Sequence, residues 1–144
     1  MWIDRLVSSR TTRAVELAAT FAEQRQRVLA ENLANIETPD YQTQQLDPRA
    51  FQSALADALD NTKRNDNRLK LRGNAQVQTD ADGRLAVTPT TEPAQNLLFH
   101  DGTNARLERV LADVSENELY YEMTTNFLRS RMQQMLNAIR GKMT

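Results

Sequence analysis

The stretch Ala30-Glu-Asn-Leu-Ala-Asn-Ile-Glu-Thr-Pro-Asp-Tyr41 decides how the rest of the chain is read. A helical pattern runs into it and stops there. Asn32 and Asn35 are three residues apart and share a helix face, and Leu29, Leu33 and Ile36 form an adjoining apolar strip. Thr38 precedes a proline, which pushes it out of the α region. Pro39 and Asp40 then suit the two central positions of a turn, and Tyr41 can fold back onto the helix end. By spacing alone this is a capped helix followed by a turn, a hinge built on Asn32, Asn35, Thr38, Pro39 and Tyr41.

Punctuation sets what lies on either side of the hinge. All four prolines and all four glycines fall outside residues 1–38 and 103–140. Both residue types are penalised in helix interiors, so the two uninterrupted stretches read as long helices. Upstream, Trp2, Ile3, Leu6 and Val7 form a short apolar lead, and the main helix is expected from about Thr12 to Ile36. One strip of it runs Val15, Ala19, Ala22, Gln26, Leu29, Leu33, Ile36, alternating steps of four and three, a coiled-coil-like seam with one polar break. A second strip holds Leu17, Phe21 and Val28. Downstream, Thr103 or Asn104 is a suitable N-cap. The seam then reads Leu107, Leu111, Val114, Glu118, Tyr121, Thr125, Leu128, Met132, Met135, Ile139, and Gly141 is placed to end the helix. Tyr120, Met123 and Phe127 make a second strip there.

The middle is shorter in signal. Asp47-Pro48 is a good helix start, and Phe51, Leu55 and Leu59 follow at steps of four, giving a short amphipathic helix over about 48–60. Residues 61–67 are polar and turn-prone. Leu69 and Leu71 alternate with basic residues. Val77, Leu85 and Val87 flank Asp80-Ala-Asp-Gly83, a candidate hairpin. The expected fold is mainly α: two long antiparallel coiled-coil-like terminal helices with a short helix and a small irregular or β insert. The expected divisions are 1–41, 42–102 and 103–144.

Composition excludes several functions. Of 144 residues, 18 are lysine or arginine and 19 aspartate or glutamate, a balance without the basic excess of a nucleic-acid binder. There is no cysteine, hence no disulfide, thiolate zinc site or cysteine nucleophile. The single histidine, His100, has no local partner for acid–base catalysis and reads as a contact residue. Asp80 and Asp82 lack the closing glutamate of a calcium loop and read as a solvated turn. The first residues lack the continuous apolar run of a cleaved secretion signal, and no stretch has the length and apolarity of a membrane span. No catalytic, cofactor or metal residues are expected.

The hinge resembles the Ala-Asn-x-x-Asn-x-x-Thr-Pro-Gly-Tyr-like signature that ends the N-terminal helix of bacterial flagellar axial proteins. It matches at Ala30, Asn32 or Leu33 by register, Ala34, Asn35, Thr38, Pro39 and Tyr41. It departs at Asp40, where the family has glycine. The second arm is similar to the C-terminal helix entry of the flagellar basal-body rod family, its proximal-rod members above all. Asp101, Gly102, Asn104, Leu107, Asn117, Leu119 and Tyr121 match, with Glu108 as an acidic equivalent. Arg106 and Val110 depart, standing where the family has acids. The resemblance covers both arms, about half the chain, in the same order.

That resemblance implies a structural subunit of the rod, self-assembling helically through its terminal helices without catalysis. It implies further copies of the chain, FliE, FlgC, FlgF and the MS ring as neighbours, and a periplasmic location in the flagellar basal body. It also implies export through the flagellar type III apparatus without a cleaved signal, with no nucleic acid and no membrane insertion. Phe51 and Leu55 are similar to the Phe-x-x-x-apolar element that such substrates show their export gate. The second strips, Leu17, Phe21 and Val28 with Tyr120, Met123 and Phe127, are expected to pack against neighbouring subunits, so that the arms order fully on assembly. A soluble helical adaptor or export chaperone, binding amphipathic partner helices, is the competing reading of the same heptads.

Overall fold

The computed structural model describes residues 10–61, 69–71, 76–91 and 102–141, with side chains in the last segment described from Leu107 onward. The apolar lead at Trp2, Ile3, Leu6 and Val7, the polar run over 62–67, His100, and the candidate cap side chains of Thr103 and Asn104 lie outside the described residues. Along the chain come α1 (Arg10–Ala34), β1 (Gln44–Gln45), α2 (Pro48–Asn61), β2 (Val77–Thr79), β3 (Leu85–Val87), β4 (Thr90–Thr91) and α3 (Gly102–Ile139). Among the described residues the architecture is mainly α, with two long terminal helices, one short helix and two antiparallel strand pairs, β1 with β4 and β2 with β3.

Each element ends where its residues require. α1 stops at Ala34, two residues before the expected Ile36, because Pro39 cannot extend the backbone hydrogen bonds. α2 starts at Pro48, and the Asp47 carboxylate accepts from the Arg49 N–H at 2.9 Å, an N-cap as the sequence predicts. α3 begins at Gly102, slightly before the expected cap, and ends at Ile139. Gly141 follows with φ +69°, in the left-handed conformation that closes a helix without a Cβ penalty. The β2–β3 hairpin turns at 80–83: Asp80 Oδ1 accepts from the Arg84 N–H at 2.7 Å, and Gly83 has φ +80°.

The core lies between α1 and the insert. Phe21 of α1 and Phe51 of α2 stack with ring centroids 4.2 Å apart and planes within 5°. They are 1% and 0% exposed. Leu17, Val28, Leu46, Ala54, Ala58, Leu69, Leu71 and Val77 surround them. This corrects one expectation: Leu17, Phe21 and Val28 do not wait for a neighbouring subunit, because the insert covers them within the chain. Leu69 and Leu71 are buried although they form no strand; Leu71 instead donates its N–H to Thr79 Oγ1 at 3.0 Å. The insert therefore supplies the apolar cover that its sparse patterning does not advertise.

One side chain joins the two strand pairs. Gln76 accepts from the Asp47 N–H at 3.2 Å and donates to the Gln45 carbonyl and to Thr90 Oγ1, while its own carbonyl accepts from the Thr88 N–H. The hairpin turn is held to α1 by Arg13, whose guanidinium donates to the Gly83 carbonyl.

Candidate functional site

The hinge is one hydrogen-bonded unit. Asn32, 5% exposed, donates from Nδ2 to the Gln44 carbonyl at 2.7 Å and accepts at Oδ1 from the Gln44 N–H at 3.0 Å. Its amide thus stands in for the peptide of a neighbouring strand and fixes β1 beside the helix end. The Tyr41 hydroxyl donates to the same Oδ1 at 3.2 Å, so the aromatic does fold back onto the helix. Asn35 donates to the Glu31 carbonyl, and the Thr38 hydroxyl donates to Asn35 Oδ1. The Tyr41 N–H donates to the Thr38 carbonyl, closing a turn with Pro39 and Asp40 at its centre. Asp40 has φ +59°, so aspartate occupies the position that would take glycine in a type II turn. Burial, and secondarily the Glu31 carboxylate, raises the Tyr41 hydroxyl pKa above its ordinary value.

The α1–α3 seam is antiparallel and its centre is polar. Asn117, 1% exposed, donates to the Ala22 carbonyl at 2.9 Å and to Gln26 Oε1 at 2.8 Å. Arg25 reaches Asp113 at 3.5 Å. Among the described residues of α3, Val110, Asn117 and Thr124, seven apart, are the buried positions. The expected seam through Leu111, Glu118, Thr125 and Met132 is therefore offset from the contact by one residue. Leu107, Val114 and Leu128 sit half-buried on the shared edge, whereas Tyr121 and Met132 are exposed. On α1, Leu29 is buried and Leu33 half-buried, and Ile36, just past the helix end, is half-buried as well. The offset has a physical cause. Asn117 finds two acceptors on the small-residue face around Ala22, and a buried amide whose N–H groups are both paired fixes one rotation of the helix. Sequence reasoning did not single out Arg25, and named Val110 only as a departure from the family pattern; the seven-residue step from Val110 to Asn117 was the available signal for the seam.

The rotation leaves α3 with unusual exposure. Among the described residues, all eight large hydrophobics that remain exposed lie on α3: Leu111, Leu119, Tyr121, Met123, Phe127, Met132, Leu136 and Ile139. Met123 is 72% and Ile139 71% exposed. Two strips result, on either side of the α1 contact. Leu119, Met123 and Phe127 form one; Tyr120, expected beside them, is half-buried against the core, and burial raises its pKa. Leu111, Tyr121, Met132, Leu136 and Ile139 form the other. α3 is also 13 residues longer than the described α1, about 20 Å of helix at 1.5 Å per residue. Phe51 is sealed in the core and Leu55 packs half-buried against it, so the folded chain does not present that pair.

Among the described residues, no group of three or more histidines, aspartates or glutamates could hold a metal ion, and no helix is long and apolar enough to cross a membrane.

No family model matches the chain. It is similar to the flagellar basal body rod protein FlgB of Salmonella typhimurium, at 26% identity over 146 aligned positions, covering 96% of this chain and 98% of that protein. FlgB of Escherichia coli and FlgB of Shigella flexneri are each 28% identical over 128 positions, covering 86% of this chain and 88% of theirs.

Proposed function

We propose that this chain, which resembles FlgB over nearly its whole length, is a structural subunit of the flagellar basal-body rod, joining neighbouring subunits through its terminal helices and catalysing nothing. The observation that carries the reading is the gathering of every exposed large hydrophobic among the described residues onto α3. A helix apolar beyond its own seam needs further helices to cover it. Further copies, FliE, FlgC, FlgF and the MS ring are the neighbours this reading assigns, in the periplasmic part of the basal body. Met123 and Phe127 are the side chains assigned to subunit packing, since Leu17, Phe21 and Val28 are already covered. Export through the type III apparatus without a cleaved signal belongs to the same reading. Phe51 and Leu55 can meet an export gate only before the chain folds, because folding closes Phe51 off.

The test is complementation of a bacterium deleted for its own proximal-rod subunit. The wild-type chain is expected in purified basal bodies. The Met123→Asp, Phe127→Asp double variant should keep its helical spectrum and urea midpoint yet be missing from rods. Absence of the wild-type chain from basal bodies, with expression verified, overturns the reading. Recovery instead in a small soluble complex with an amphipathic partner would favour the adaptor.

A further inference from the structure

The outer strip of α3 carries two apolar pairs placed symmetrically about Thr125, and its charges divide by sign along the helix. Counting from that residue, Leu111 and Ile139 stand fourteen positions away on either side, and Val114 and Leu136 eleven. Between residues 110 and 128 the helix carries four acids and no base; from residue 123 to its end it carries two arginines and no acid, with Arg140 immediately after. Glu118, Glu122, Arg129 and Arg140 follow one another at steps of four, seven and eleven, so they run along a single edge of the strip. Among the described residues, none of the four has an ion-pair partner.

Geometry then selects an orientation. When two helices meet strip to strip and run parallel, opposite edges come together; when they run antiparallel, the same edges do. With acids and bases on one edge, only the antiparallel arrangement sets acids against bases. Centred on Thr125, it places Arg129 of one copy opposite residue 121 of the other, between Glu118 and Glu122. It also places Leu111 opposite Ile139 and Val114 opposite Leu136.

We infer that the outer strip of α3 binds the same strip of a second copy in an antiparallel, two-fold pair centred on Thr125. The contact is self-complementary, the commonest form of homo-oligomer interface. This goes beyond the rod reading and does not depend on it. A rod built from one repeating contact carries its subunits in one polarity, so the antiparallel pair is a state of the free protein. It covers Leu111, Tyr121, Met132, Leu136 and Ile139 until a growing assembly competes for them.

The chain has no cysteine, so introduced thiols report cleanly. Under mild oxidation, Thr125→Cys should link to itself across the axis. Leu111→Cys and Ile139→Cys should each form no disulfide-linked dimer alone and a disulfide-linked heterodimer when mixed. Sedimentation should show Arg129→Glu, and separately a Glu118→Arg, Glu122→Arg variant, dimerising about tenfold or more weakly than wild type at low salt. An equimolar mixture of the two variants should recover dimer. Three results overturn the inference: a wild-type chain that stays monomeric at high micromolar concentration, self-linking of Ile139→Cys without the mixed product, or charge-reversed variants that dimerise as wild type does. Basal-body complementation reads the rod function separately, so either conclusion can fail without the other.

Discussion

Replacing Asn32 by alanine is the sharpest probe of the hinge. The side chain is nearly fully buried and serves both backbone groups of Gln44, at 2.7 and 3.0 Å, as well as the Tyr41 hydroxyl. Alanine leaves one N–H and one C=O of Gln44 without their side-chain partner in a part-buried site. An intramolecular hydrogen bond contributes about 0.5–1.5 kcal/mol net, and a stranded buried polar group costs about 1–3 kcal/mol, so the loss should be roughly 2–4 kcal/mol. Asn35→Ala is the internal control: its bonds to the Glu31 carbonyl and Thr38 hydroxyl lie at the surface, and the expected loss is below about 1 kcal/mol. Urea unfolding followed by circular dichroism gives both numbers, with unchanged slope required for the comparison. Asn32→Asp adds a second axis. Its carboxylate faces the Gln44 carbonyl and loses the donor, whereas the protonated acid regains one. Its folded-state pKa is therefore raised, and the stability it lends is present at low pH and lost as pH rises through that value. If Asn32→Ala costs no more than Asn35→Ala, the amide does not anchor β1 and the account of the hinge fails.

Other consequences are simpler to check. Asp40→Gly should raise stability by up to about 1 kcal/mol, because the side chain is held at φ +59°; a lower melting temperature would contradict this. Phe51→Ala removes a fully buried ring stacked on Phe21 and should cost about 3–5 kcal/mol, measured by urea unfolding. Tyr41 and Tyr120 hold their protons more tightly in the folded chain than in the unfolded one. The stability they contribute is present below the ordinary tyrosine value near 10 and is lost as pH rises beyond it, so a Tyr41→Phe, Tyr120→Phe variant should show a flatter decline in alkaline unfolding titrations.

Much of the fold was legible because glycine and proline punctuate it so cleanly. The empty stretches became α1 and α3, Asp47-Pro48 opened α2, and the Asp80 to Gly83 segment turned the hairpin. What the sequence hid was which face of each helix meets which neighbour. Apolar periodicity points to Leu111 and Met132, yet α3 is turned toward Asn117, because one amide with two good acceptors outweighs a modest difference in apolar area. The same limit applies to Phe21: the strip is visible in the sequence, but its cover comes from Phe51, Leu69 and Leu71, distant residues whose local pattern is weak. At the hinge, the turn and the returning tyrosine could be anticipated. The pairing of Asn32 with Gln44 could not, since nothing local marks a glutamine backbone as the partner.

The short β1–β4 pair has a kinetic consequence. The contacts that define the α1–α3 seam join residues as far as 95 apart in sequence. Without the insert, closing that seam means closing the 67 residues between Ala34 and Gly102. Once Gln44 pairs with Thr91, only the 9 residues before β1 and the 10 after β4 remain to be closed. On a logarithmic closure cost, that shortening is worth about 1 kcal/mol of chain entropy. Two residues on each side thus act as a clasp that brings the arms within reach of one another. Weakening it, or weakening the Gln76 amide that braces it, should slow refolding more than it speeds unfolding.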